Sequence, residues 1–130
     1  MGDFMRAERR EKIRLIGKIS FQDLMRYALN LSALEVNVYF RLLDGEATVK
    51  EISNKLNRNR STIQRALTNL INKGLVTREL KTMKNGGYYF KYKAIPLEQV
   101  EENLHEKVKK WYTKLSALLE EYMLTHKSSE

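Results

Sequence analysis

Between Arg58 and Thr68 the chain reads Arg-Asn-Arg-Ser-Thr-Ile-Gln-Arg-Ala-Leu-Thr, a run dense in cationic and hydrogen-bonding side chains. At helical spacing Arg60, Ser61, Gln64, Arg65 and Thr68 fall on one side, with Thr62 beside them in the first turn. Ile63, Ala66, Leu67, Leu70 and Ile71 make the opposite, apolar stripe. The chemistry open to such a face is recognition, not bond making. A guanidinium can pair bidentately with guanine, a carboxamide with adenine, and hydroxyls with bases or backbone. Arg58 and Asn59 lie just before the helix, where phosphate contact is the commoner fate. A helix N-terminus adds free N–H groups and the positive end of a dipole.

Charge supports this reading. The chain carries a net charge of +8, and between Thr48 and Lys93 there are eleven Lys/Arg against two Glu. The excess positive charge therefore sits in this segment, as expected for a surface that meets a polyanion and releases its counterions. No acidic residue occurs between Ile52 and Thr77. An ordinary solvated helix, the alternative reading, mixes signs and gains from i,i+4 ion pairs; this one forgoes them.

Catalytic constellations have little foothold. There is no Cys, so disulfides and thiolate metal sites are excluded. His105 and His126 are the two histidines, and Glu101, His105 and Glu106 lack the second His of a zinc spacing. No phosphate-binding Gly-rich loop, dinucleotide fingerprint or nucleophile elbow occurs, and Asp44-Gly45-Glu46 lacks the repeated acids of a calcium loop. The expectation is a non-enzyme with no cofactor. Arg6, Arg9, Arg10, Lys12 and Arg14 interrupt the N-terminal apolar residues, so a signal peptide is not expected, and Arg6 defeats the myristoylation pattern. No apolar run approaches the ~20 residues that span a bilayer. A cytoplasmic, nucleoid-associated protein without a membrane partner is the expectation.

The elements that must hold this face are legible from their ends. Ser20-Phe-Gln-Asp23, Ser32-Ala-Leu-Glu35 and Thr48-Val-Lys-Glu51 are capping boxes, each opening a helix. Asp44-Gly45-Glu46 breaks the second from the third, and Gly74 suits the residue after the fourth. Leu34, Val38, Leu42 and Leu43 recur at helical spacing with Tyr39 and Phe40 beside them, which reads as core. From Leu75 the period shifts towards two. Strands over Leu75–Lys81 and Tyr88–Ile95 flank Met83-Lys84-Asn85-Gly86-Gly87, a hairpin signal. In the second strand Tyr88, Phe90, Tyr92 and Ala94 share a face, and Tyr89, Lys91, Lys93 and Ile95 share the other. Lys81, Lys84 and Lys91 make this hairpin basic, as an arm touching the minor groove or flanking phosphates would be.

Pro96 suits the first position of a new helix, which is expected to run from Leu97 to about Leu124 before the chain frays. Leu104, Val108, Trp111, Leu115, Leu118 and Tyr122 fall along it at alternating spacings of four and three, an a/d seam of 3.5-residue period. Such a seam fits pairing with the same helix of a second copy. Folding back over its own domain is the alternative, and a rounded core suits that period less well.

The order helix, helix, helix-turn-helix, hairpin, long helix resembles the winged-helix transcriptional regulators of the MarR and TrmB type. The likeness rests on Leu31-Ser-Ala-Leu-Glu-Val-Asn-Val-Tyr39, Thr48-Val-Lys-Glu-Ile-Ser-Asn-Lys-Leu56 and Ser61-Thr-Ile-Gln-Arg-Ala-Leu-Thr-Asn-Leu-Ile-Asn-Lys-Gly-Leu-Val76. It covers residues 20 to about 95 well and the C-terminal helix more loosely. The resemblance implies a prokaryotic, sequence-specific DNA-binding dimer that represses or activates. TrmB-type regulators often carry a large C-terminal sugar-sensing domain, and this chain reads as a short form without one.

Together these readings predict a mostly α fold with a small β-hairpin wing, a winged helix-turn-helix plus a long C-terminal dimerisation helix. Residues 1–19 are expected as a basic helical arm, 20–95 as the DNA-binding domain and 96–130 as the dimerisation helix. The partners are double-stranded DNA, in a palindromic operator, and a second copy of the chain. An unidentified small-molecule effector is left open, since Tyr and Met residues near the arm–core junction could line a pocket or simply pack. Two rival functions share the fold. One is a protein-interaction subunit of a transcription or replication assembly; the other is a nucleoid-type binder without sequence preference. An RNA-binding role lacks an evident stacking platform.

Overall fold

The computed structural model describes residues 20–128; the basic arm expected over residues 1–19 lies outside the described residues. The chain runs through helices α1 (Phe21–Leu29), α2 (Ala33–Leu43), α3 (Val49–Leu56) and α4 (Arg60–Asn72). Strands β1 (Val76–Thr82) and β2 (Tyr88–Ala94) follow, and then the long helix α5 (Leu97–Ser128).

Local chemistry sets the helix starts. Ser20, Ser32 and Thr48 each accept from the backbone N–H three residues on, and Asp23, Glu35 and Glu51 reach back to the cap N–H in return. Asn59 caps α4 through its side-chain oxygen, which accepts from Thr62 N at 2.8 Å. Asn30 and Asn57 end α1 and α3 in the left-handed region, with φ of 56° and 53°. Asn tolerates that region better than most side-chain-bearing residues. Gly74, at φ +73°, follows α4 as its sequence position suggests.

One core joins the pieces. Met25, Val38, Tyr39, Ile52, Ile63 and Leu67 are fully buried between α1, α2, α3 and α4. The hairpin closes over them. β1 pairs antiparallel with β2 from Val76↔Ala94 to Thr82↔Tyr88, so the five residues from Met83 to Gly87 form the tip. Ala47, in the loop before α3, bridges Tyr92 with reciprocal bonds of 2.8 and 3.0 Å. This third contact ties the wing to the helix-turn-helix. Tyr92 and Ala94 point into the core, while Leu80 and Tyr88 on the same face, nearer the tip, are exposed.

Helix α5 has two unlike halves. Pro96 stands immediately before it, one position earlier than expected, and its carbonyl accepts from Gln99 and Val100. Val100 and Leu104 then enter the common core against α1, and Lys107 Nζ donates to the Ala28 carbonyl at 3.3 Å. Leu104 therefore does not belong to an open seam: its own chain covers it. Further along the helix, Val108, Trp111, Leu115, Leu118 and Tyr122 are 41–65% exposed. The helix also continues beyond Leu124, through Ser128. The Tyr122 ring stacks on His126 at 4.6 Å, and Thr125 Oγ1 bonds the Glu121 carbonyl, giving this turn side-chain support. No described helix is long and apolar enough to cross a membrane.

Candidate nucleic-acid interface

Helices α3 and α4 meet at a turn held by its own side chains. Arg58 N donates to the Ser53 carbonyl at 3.1 Å, and the Ser53 hydroxyl donates to the Arg58 carbonyl. This locks the three residues that separate the helices and fixes the angle at which α4 leaves. Ile63, Ala66, Leu67 and Leu70 anchor α4 inward. Its outer side carries Arg60, Ser61, Gln64, Arg65 and Thr68, all exposed, with Thr62 half-buried at its edge. Arg58 and Asn59 are exposed at the turn. Arg60, Ser61, Gln64 and Arg65 come together around a shallow depression next to Val49.

Three of these side chains already have work within the chain. Asn59 spends its side-chain oxygen on the cap, leaving its NH2 for a ligand. Thr68 Oγ1 donates to the Gln64 carbonyl at 2.9 Å, and so keeps acceptor capacity outward. Gln64 Nε2 donates to the Tyr92 hydroxyl at 3.3 Å. The first turn of α4 contains no acid. Its free N–H groups and positive dipole end are therefore neutralised by nothing of its own sequence, a ready setting for phosphate.

The wing stands beside this face. A groove of about 660 Å³ runs between them, bordered by Thr48, Lys50 and Arg60 on the helical side and Met83, Tyr89 and Lys91 on the wing. The wing cations differ in their surroundings. Lys81 pairs with Glu79 at 3.3 Å and Lys91 with Glu46 at 3.7 Å, whereas Lys84 sits exposed in the tip. Solvent-accessible ion pairs of this kind contribute little and exchange readily for another anion. Glu46 and Tyr92 belong to the neighbourhood of the site, although neither stands out in the sequence; only the fold brings them to Lys91 and Gln64. Arg78 stacks over Phe90 at 4.4 Å from its ring centre, which steadies the strand face.

Among the described residues no three His, Cys, Asp or Glu side chains come together as a metal site. His105 is exposed, 3.6 Å from Glu101. The groove where α1 meets α5, about 450 Å³, is lined by Phe21, Leu24, Leu97, Leu104 and Val108 with Glu101 and His105. Among the described residues its lining includes no Tyr or Met.

Comparison with known proteins agrees with this geometry. A family model described as the sugar-specific transcriptional regulator TrmB matches residues 25–98, more than half of the chain. Two uncharacterized proteins of Methanocaldococcus jannaschii are similar over most of its length. MJ1082 is 42% identical over 101 residues, covering 77% of this chain and 83% of its own. MJ1503 is 37% identical over 103 residues, 78% of each. Among solved structures, a possible transcriptional regulator from Methanosarcina mazei superposes with a TM-score of 0.69 at 28% identity. That match covers 77% of this chain and 86% of the other.

Proposed function

The chain belongs to the TrmB family of winged-helix, DNA-binding transcriptional regulators, and from that premise we propose that it reads a specific operator as a homodimer. The observation that carries the proposal is the outer face of α4: five exposed hydrogen-bonding or cationic side chains on a helix within a stretch of sequence, Ile52 to Thr77, that contains no acid. Arg60, Ser61, Gln64, Arg65 and Thr68 contact base edges and adjacent phosphates. Arg58, Asn59 and Thr62 fix the backbone at the helix N-terminus, and Lys81, Lys84 and Lys91 serve the wing.

Homodimerisation is supported by the uncovered seam of α5, Val108, Trp111, Leu115, Leu118 and Tyr122. Apolar area removed from water contributes ~25 cal/mol per Å², and Trp111 alone carries a large surface. Paired through this helix, two copies present their α4 helices to successive major grooves, about 34 Å apart, and prefer a palindrome. A cytoplasmic location follows from that role.

The test is selection of bound duplexes from a random library, followed by titration of Arg60→Ala and Arg65→Ala against the selected site and a random duplex. Losses of about 1–3 kcal/mol each, confined to the selected site, are expected for base contacts. Equal losses on both duplexes would reduce these arginines to phosphate contacts. Failure to select any motif, with a steep salt dependence, would leave an architectural binder instead.

A further inference from the structure

We propose that Tyr92 is a specificity-determining positioning residue. Acting through Gln64, it makes α4 distinguish amino from keto groups at one base position; the inference rests on the operator-reading role of α4 proposed above. Tyr92 is 1% exposed. Its main chain is held on one edge by the bridge to Ala47, at 2.8 and 3.0 Å, and on the other by pairing with Arg78 of β1, while burial in the core confines the ring. A buried phenol needs a hydrogen-bond partner, and Tyr92 finds it 28 residues away, in the amide nitrogen of Gln64 at 3.3 Å. Gln64 is the member of the exposed face that is anchored to the wing.

The consequence lies in the carboxamide itself. Its two ends are nearly the same size but opposite in function, one accepting and the other donating. A free glutamine turns over and satisfies either an amino or a keto group. With Nε2 engaged at Tyr92, turning over breaks a bond, and Oε1 is the end left to a ligand. In the major groove every base pair presents one exocyclic amino group and one keto oxygen, on opposite strands. An acceptor held in place therefore reads strand orientation, taking adenine or cytosine on the near strand and rejecting guanine and thymine. Adenine is favoured further, because the second amide hydrogen can reach its N7. A–T content as such is not what this contact measures.

Library selection with the full chain, Tyr92→Phe, Gln64→Ala and the double variant tests this. In the wild type one position per half-site is expected to favour A or C over G or T on one strand, and Gln64→Ala erases that preference. Tyr92→Phe, which keeps the ring, is expected to lower amino-over-keto discrimination at that position by about fivefold or more. Affinity for random duplex stays within about twofold, and the change adds nothing in the Gln64→Ala background. A Gln64-dependent position favouring G or T, or a Tyr92→Phe profile identical to wild type, would overturn the inference while leaving the regulator reading intact. A wild type that selects no motif sinks both. Should Tyr92→Phe fail to fold, the side-chain amide resonances of wild-type Gln64 decide: slowed solvent exchange relative to exposed Gln22 and Gln99 is expected, and exchange equal to theirs would refute the anchor.

Discussion

The Tyr39 hydroxyl donates to the Ile95 carbonyl at 2.8 Å, tying the middle of α2 to the exit of β2. Burial, and secondarily the carboxylate of Glu98, pushes its pKa up from 10.0 to about 12. The folded state thus holds this proton more tightly than the unfolded chain does. Its contribution to stability is complete below pH 10 and is lost as pH rises from 10 towards 12. Urea unfolding at pH 8, 10 and 11.5 is expected to show that decline. Tyr39→Phe should cost about 1–2 kcal/mol at pH 8, because a part-buried hydrogen bond is lost. It should also flatten the alkaline fall; an equally steep fall in the variant would assign the effect to other groups. Tyr39 is legible in the sequence only as a core aromatic. Its hydroxyl's partner lies 56 positions away, as the partner of Tyr92 lies 28 away. Periodicity reports which face a side chain takes and is silent about which polar atom it meets there.

At the scale of elements, the N-terminus of α4 sets stability against binding. Asn59 already caps it through Oδ1, and no acid occupies the first turn. A carboxylate at the same position would keep the cap and add a favourable interaction with the dipole, worth roughly 0.3–1 kcal/mol. It would also put a negative charge where phosphate is expected. Asn59→Asp should therefore raise or preserve the melting temperature while weakening DNA binding about tenfold or more at low salt; unchanged affinity would move the phosphate away from this helix end. Element boundaries are where the sequence speaks most clearly. Ser20, Ser32 and Thr48 bond residues three positions on, and Gly74 and the five-residue tip act through backbone angles, so neither needs the rest of the fold. The Asn59 cap is equally local, yet its surroundings read as a polar turn because no acid follows to complete a box. The Ala47–Tyr92 bridge and the Lys91–Glu46 pair are tertiary, and nothing in their spacing announces them.

The whole molecule turns on where α5 stops belonging to its own domain. A 3.5-residue period identifies a seam but not what covers each part, and the fold divides it: Leu104 is 3% exposed within the chain, whereas Leu115 is 65% exposed. The division matters for any attempt to isolate a monomer. Cutting at Pro96 would remove Val100 and Leu104 from the core, and large-to-small losses of this kind cost about 2–5 kcal/mol each. Poor behaviour of that fragment would say nothing about pairing. Ending the chain at Lys110 instead keeps both residues and the Lys107 bond to Ala28, and removes the exposed stripe from Trp111 onward. Sedimentation of this fragment is expected to show a folded monomer. Its affinity for one half-site should match that of the full chain, while affinity for the palindrome falls about 10²–10⁴-fold as the second contact ceases to be intramolecular. A fragment that remains dimeric would place the interface in the winged domain and leave the exposed apolar stripe of α5 to some other partner. Substituting Leu115 and Leu118 with Lys in the full chain provides the matching control, since both are exposed in the single chain and their loss removes apolar contact without touching its core.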